Sequence, residues 1–173
     1  RMDGMSSKSD DKIIETALKR FSRAVEDSAE NRKRALDDIR FGQMGEQWPD
    51  KLQRDRESNY RPCLTFNQLT QYVKQVVNEQ RQNRPAINIS PVDDKADVDT
   101  AETIQGLIRH IEYTSNADLA YDTAFEYCVW GGFGFWRVIT DYVDDESFDQ
   151  EILIRRIADP FTVYIDPDSI EPH

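Results

Sequence analysis

The sequence has little of what marks membrane, secreted and metal-binding proteins. No apolar run approaches the roughly 20 residues that a membrane-spanning helix needs, and no secretory signal is present. The two cysteines, Cys63 and Cys128, stand alone without a metal-type or redox spacing, which is typical of free thiols in a reducing compartment. These absences argue against a membrane protein and against a small domain held together by disulfides.

Positive charge is also scarce. The 173 residues include 22 Lys and Arg against 33 Asp and Glu, a net charge of -11. A chain with this balance repels a free polyanion rather than wrapping it. Its hydrophobic fraction of 38% is low for a self-contained globule, which indicates an extended shape or burial against partner subunits.

Catalytic and ligand-binding groups are missing as well. The sequence contains no Ser/His/Asp set, no Cys/His pair and no carboxylate pair at a defined helical offset. His110 stands alone, the aspartates of residues 93–99 lack the glycine and glutamate of a calcium loop, and the glycines of residues 131–134 are followed by no phosphate-binding lysine. We therefore expect a protein that is not an enzyme, with no catalytic residue, cofactor or metal ion.

The most informative segment present is residues 127–140. Apolar residues recur at helical spacing before it and alternate in strand fashion after it, and three glycines permit a sharp reversal between the two. The sequence thus predicts an α+β fold, mainly long helices followed by a small antiparallel β-meander. We expect a disordered or expression-derived tail over residues 1–9, a helical part over 10–130 and a β part over 131–173. The chain opens at Arg1 and stops after an Asp-Pro turn, so we expect a segment of a longer protein, truncated at its C-terminal end.

A long first helix is predicted from Asp10 to Gln47. Its apolar residues form one narrow stripe, and its other faces are charged. Such a stripe is typical of an ordinary amphipathic helix covered by later helices, or of a seam to another subunit. The candidate packing face consists of Ile14, Leu18, Phe21, Val25, Leu36 and Ile39.

The middle of the chain predicts alternating breaks and helices. Residues 48–63 read as a polar, solvated loop between two prolines. Thr65 and Gln68 form a capping box for a second helix that runs to Asn83. Residues 86–91 alternate and predict a short strand, and two further helices follow, with a kink or a new start at residues 115–118.

The β part predicts strands at residues 135–143, 151–157 and 161–165. Phe133, Phe135 and Trp136 are the candidate core of the junction between sheet and helices. Phe135 and Trp136 point to opposite faces of one strand, so at least one of them is expected to be deeply buried.

The aromatic strand 132–138 leaves two other functions open. It is close to the aromatic signature of RNA-recognition sheets, which makes a nucleic-acid-binding module the alternative. Gly131, Trp136 and Val138 depart from that signature, and the strand and helix that precede it in such sheets are missing. A helical adaptor protein of another kind is the third possibility.

Six segments together resemble the portal proteins of the P22-like tailed bacteriophages, and their order over residues 40–167 carries the resemblance more than any single one. The segments are Gly42–Trp48, Arg61–Asn67, Asn78–Pro85, Ala120–Asp122, Gly132–Val138 and Asp159–Pro167.

The resemblance implies a subunit of a usually twelve-fold ring at one capsid vertex, through which DNA enters and leaves the capsid. It implies contacts with copies of the same chain and with capsid, terminase and tail proteins. It places the protein in the virion, and in the host cytoplasm during assembly. The chain would then be the N-terminal, wing part of a portal, and would not bind the passing DNA tightly.

Overall fold

The computed structural model describes residues 3–84, 86–91 and 98–169, with side chains from residue 10 onward. Five α-helices and one two-stranded antiparallel sheet form within this part of the chain, which confirms the predicted α+β class. The helices are α1 (Asp3–Ile39), α2 (Asp50–Ser58), α3 (Leu69–Gln82), α4 (Val98–Thr114) and α5 (Ala117–Gly131), and the strands are β1 (Trp136–Tyr142) and β2 (Gln150–Arg156).

Packing divides the chain into two units. The first consists of the described residues of 1–37 and 161–169, and the second of residues 38–160. This division does not coincide with the predicted boundary at residue 131, because that boundary followed the change from helical to strand sequence. In the first unit, the segment after residue 160 returns to helix α1.

Helix α1 extends further toward the N-terminus than predicted and ends earlier. It begins at Asp3 rather than Asp10, since no proline interrupts the polar residues that precede the apolar stripe. It ends at Ile39 and passes into one π-helical turn over Arg40–Met44. Gly45 then stops the helix in the left-handed conformation, with φ of 75°, which glycine adopts at little cost.

The predicted solvated loop at residues 48–63 contains helix α2, so the prediction was wrong there. Pro49, which suggested a break, instead precedes the first helical residue, where a fixed φ favours helix formation and a missing amide hydrogen costs little. Asp50 in the first turn and Arg56 in the last turn complement the helix dipole. No residue of α2 is buried.

Two local predictions around α3 need correction. The side chain of Asn67 caps the helix, because its Oδ1 accepts the backbone N–H of Leu69 at 3.1 Å, so the predicted capping box of Thr65 and Gln68 is not formed. Residues 86–91 form no strand, since β1 and β2 pair only with each other among the described residues.

The core of the second unit lies where α5 meets the sheet. Asn116, with φ of 50°, breaks the chain between α4 and α5. The small residues Ala117 and Ala120 are almost fully buried and let Ile154 of β2 pack closely against α5. The hydroxyl of Ser115 accepts the backbone N–H of Ile154 at 3.0 Å, which ties the helix break to the strand.

The sheet is a hairpin rather than the predicted three-stranded meander. Its register runs from Trp136 opposite Arg156 to Tyr142 opposite Gln150. Residues 161–165 form no third strand; a short 3-10 turn over Pro160–Thr162 leads into extended chain. The reason is that this segment packs on α1 in the first unit, where it makes side-chain contacts instead of a strand ladder.

Candidate packing interfaces

The predicted packing face of α1 is only partly covered. Ile14, Leu18 and Phe21 are 57%, 61% and 52% exposed. Val25 and Leu36 are half-buried, and Ile39 is buried. The stripe therefore changes along the helix from an open N-terminal half to a covered C-terminal end.

The covering contacts in the first unit come from the segment after residue 160. The Arg32 guanidinium lies 4.0 Å from the ring centre of Tyr164 and donates to the carbonyl of Val163 at 2.8 Å. The same group lies 5.6 Å from the ring centre of Phe161. Phe21 meets Tyr164 edge to face, with ring centres 5.1 Å apart. The sequence does not reveal this contact, because residues 161–165 have the pattern of a strand.

The tightest packing on α1 uses small residues that the apolar stripe does not include. Ala24 and Ala35 are almost fully buried, and Ser28 between them is half-buried and returns its hydroxyl to the Ala24 carbonyl at 2.7 Å. A helix packs closely through alanine because no long side chain holds its neighbour away. The exposed apolar surface that remains on the N-terminal half of α1 consists of Ile13, Ile14 and Leu18, with part of Phe21.

The junction aromatics pack, but none is deeply buried. Phe133 and Phe135 are half-buried with ring centres 5.9 Å apart, and Trp136 is 44% exposed. Trp136 meets Tyr121 of α5 edge to face at 5.2 Å. The expected deep burial of Phe135 or Trp136 is therefore not found, because α5 packs mainly against β2 and leaves β1 largely exposed.

Two glycines of the resembling segments lie where no side chain fits. A β-carbon on Gly134 would overlap the backbone of Ala124 in α5, and one on Gly42 would overlap the ring of Trp130. Asn67, from a third segment, donates its side-chain amide to the Gly42 carbonyl. These residues bring the π-helical turn, the start of α3 and the hairpin together with α5.

Ion pairs connect the end of α3 to α5. Arg84 donates to both carboxylate oxygens of Asp122 at 3.1 Å and also pairs with Asp118. Arg81 lies 3.0 Å from Asp122, whose side chain is only 15% exposed. The two arginines come from the segment 78–85 and Asp122 from the segment 120–122. The four-residue spacing of Asp118 and Asp122 places both on one face of α5, which can receive the arginines.

Tyr121 lies beside this cluster and has a perturbed acidity. Burial, then a hydrogen bond to Glu112 and the charges of Glu112 and Asp118, raise the pKa of Tyr121 to about 12 from its ordinary 10.0. Its hydroxyl donates to Glu112 at 3.1 Å. The phenol thus stays protonated and links α4 to α5, while its ring packs on Trp136.

No group of three or more His, Cys, Asp and Glu side chains is placed to hold a metal ion in the described part of the chain. Cys63 is half-buried and Cys128 exposed, and both are free thiols.

No described helix combines the length and the apolar character needed to cross a membrane. An open groove of about 620 Å³ lies between α3, α5 and β1.

The fold and these contacts define a structural segment of a protein. Residues of the resembling segments hold the helices and the hairpin together, and the apolar surface on the N-terminal half of α1 stays open. Comparison with known proteins agrees with this class. The family model described as phage P22-like portal protein matches residues 18–173, so the chain belongs to that family. A portal protein of Acyrthosiphon pisum secondary endosymbiont phage 1 is 28% identical in an alignment of 164 residues that covers 90% of this chain.

Family membership settles the broad role. The chain is part of a structural, non-catalytic bacteriophage component, as the resemblance implied. It spans 23% of the length of the portal protein that it matches.

Proposed function

We propose that this chain is part of a ring-shaped phage portal through which DNA is packaged into the capsid and later ejected. The observation that carries the proposal is the family match over residues 18–173. The chain would act as a non-catalytic subunit, with copies of itself as its first partners. A twelve-fold ring at one capsid vertex is the stoichiometry that fits the resemblance, with capsid, terminase and tail proteins as further partners. Assembly would take place in the host cytoplasm, from an infecting phage or a prophage.

The geometry supports a subunit that packs beside copies of itself. Four of the resembling segments meet at α5, namely residues 42–48, 78–85, 120–122 and 132–138. Asn67 of a fifth segment binds Gly42, so the residues that carry the resemblance hold the second unit together. The apolar surface of Ile14 and Leu18 is left open on α1, although most of the helix around it is charged. Exposed apolar surface of this kind is a candidate contact between subunits.

The chain itself is proposed not to bind nucleic acid tightly. With a net charge of -11 and no sustained basic face, it would repel phosphate backbones. Fluorescence anisotropy with double-stranded DNA and with RNA, near physiological salt, should show no binding at micromolar protein. Tight, salt-sensitive binding would instead favour the nucleic-acid module, and loss of that binding in Trp136→Ala would assign it to the aromatic strand.

The direct test uses the full-length product of the gene. Native mass spectrometry and negative-stain electron microscopy should show closed rings of one subunit type. In the phage, deletion of the gene should leave heads that contain no DNA, and plasmid-borne wild type should restore filling. A monomer that stays monomeric at all concentrations, or full heads in the deletion phage, would contradict the proposal.

A further inference from the structure

The β1–β2 hairpin places like charges opposite each other at both of its ends. Arg137 of β1 lies directly opposite Arg155 of β2, and Asp141 lies opposite Glu151. These four residues share one face of the hairpin, because they alternate with the residues that point the other way. Like charges directly opposite on neighbouring strands destabilise a sheet. The hairpin therefore carries one doubly positive and one doubly negative pair, about 13 Å apart along the strand.

The described residues do not neutralise these pairs. No ion pair between described residues involves any of the four side chains, and Asp141 accepts only the adjacent backbone N–H of Tyr142, at 2.9 Å. Arg137, Arg155 and Asp141 are exposed, and Glu151 is half-buried. Exchanging one residue of each pair would have made two favourable pairs within the hairpin. The observed arrangement instead suits partners that supply the opposite charge at each end.

The surroundings increase the contrast between the two ends. Residues 141–151 include six acidic residues and no basic one, whereas Arg156 adds a third arginine at the other end. The acidic loop is held by its own hydrogen bonds: the N–H of Glu146 donates to Asp144, and that of Asp149 to Ser147. Phe148 stands 94% exposed within this loop, an apolar side chain that gains from being covered.

We propose that the acidic end of the hairpin in one copy docks on the arginine end of the hairpin in a second copy. A second copy provides both charges, so a single kind of partner satisfies both pairs. A polyanion such as DNA would meet the arginines but would be repelled by the acidic end of the same hairpin. A head-to-tail contact of this type is heterologous, and it generates a ring when the rotation between copies closes. The inference rests on the proposed ring.

The test is a charge exchange between two variants of the full-length gene product. The first, Arg137→Glu with Arg155→Glu, has two acidic ends. The second, Asp141→Arg with Glu151→Arg, has its acidic pair made basic. Each alone should need about tenfold or more protein to form rings than wild type, since like charges then meet. Mixed in equal amounts, the two should assemble in alternation at concentrations where neither does alone, as measured by native mass spectrometry.

Further measurements separate this contact from folding. The single change Arg155→Glu should raise the melting temperature of the monomer, because it creates an opposite-charge pair with Arg137, and yet weaken assembly. Arg54→Glu with Arg61→Glu, two exposed arginines outside the hairpin, is the charge-matched control and should assemble like wild type.

Three outcomes would overturn the inference: rings that form normally in each variant alone, a mixture that fails to assemble although both variants are folded by circular dichroism, or arginine variants that lose DNA binding while their rings stay intact. If the wild type forms rings and the variants form them equally well, the hairpin contact is contradicted but the proposed function is not. No rings in wild type would defeat the proposed function itself.

Discussion

At the scale of single residues, two glycines differ in whether the fold needs their missing side chain. Gly134 needs its missing side chain because the backbone of Ala124 occupies the space where a β-carbon would lie. Gly106, within helix α4, has nothing within 4 Å of such a β-carbon except its chain neighbours and the backbone of its own helix. The segment 132–138 is recognisable in the sequence, but the reason for this particular glycine is a contact with α5 that no local pattern reveals.

We predict opposite stability changes for alanine at these two glycines. Gly134→Ala should destabilise the chain by about 1–3 kcal/mol or more, because hairpin and helix must separate to admit the methyl group. Gly106→Ala should be stabilising by about 0.5–1 kcal/mol, because alanine favours the helix. Urea unfolding followed by circular dichroism measures both. Equal effects at the two positions would contradict the close contact at residue 134.

Tyr121 gives a pH-dependent prediction. Its pKa is raised to about 12 in the folded chain, above its ordinary 10.0. The folded state therefore holds the proton more tightly than the unfolded state. Stability from this group is complete below about pH 10 and is lost as the pH rises toward about 12.

The Tyr121→Phe variant should lose this part of the alkaline destabilisation, while Tyr60→Phe, at a residue 98% exposed, should keep it. Unfolding midpoints in urea, measured from about pH 8 to about pH 11.5, compare the three proteins. A wild-type profile that coincides with that of Tyr121→Phe would show that the phenol titrates equally in both states.

At the scale of helices and strands, the spacing of apolar residues predicted most of the helices and the hairpin. The long α1, the helix that ends near Asn83, the break near residue 116 and the hairpin after the glycines all follow from apolar spacing and chain-breaking residues. Helix α2 was missed because Trp48-Pro49 reads equally well as a break and as a helix start. The strand predicted at residues 161–165 was wrong, because contacts with distant Arg32 and Phe21 outweigh strand propensity there.

The candidate packing surfaces were only partly predictable for the same reason. The stripe on α1 was visible in the sequence, but which half of it the chain covers depends on the segment after residue 160. The pairing of Arg81 and Arg84 with α5 depends on a separation of more than thirty residues along the chain. Local patterns indicate that such residues share a face, and only the tertiary fold brings the two faces together.

The ion pairs between α3 and α5 give a prediction at this scale. Asp122→Asn should destabilise the chain by about 1–3 kcal/mol, because two arginines lose a largely buried acceptor charge. Glu30→Gln, which breaks the exposed pair with Arg34, should change stability by no more than about 0.5 kcal/mol. Thermal unfolding of both variants makes the comparison. An Asp122→Asn effect as small as that of Glu30→Gln would mean that water screens the two pairs alike.

At the scale of the whole molecule, the charge and the open surfaces point toward assembly. A net charge of -11 opposes adhesion to DNA, which would suit the proposed passage of DNA through the ring. The low apolar content leaves little for a core, yet several large apolar side chains on α1 and the hairpin stay exposed. These two surfaces are independent candidates for contacts between copies, and each has its own test.

The α1 surface can be tested at the residues that the chain leaves open. Phe21 is a poor choice because its ring packs on Tyr164, so changing it would disturb the first unit itself. Ile14 and Leu18 are more than half exposed, and replacing both with Asp removes apolar area without breaking a described contact. If this surface lies between subunits, the burial of two charges there should shift full-length rings toward monomers while the circular dichroism of the subunit stays unchanged.

Thr16→Asp with Asn31→Asp is the matched control for this experiment. It adds the same two charges to exposed positions on other sides of α1, so its rings should persist. Native mass spectrometry at equal protein concentrations counts the subunits in each sample. Because an isolated helix is only marginally stable in water, a loss of helical signal in Ile14→Asp with Leu18→Asp would show that other parts of the protein cover this stripe. Rings as stable as those of the control would remove the N-terminal half of α1 from the interface and leave the hairpin as the contact to pursue.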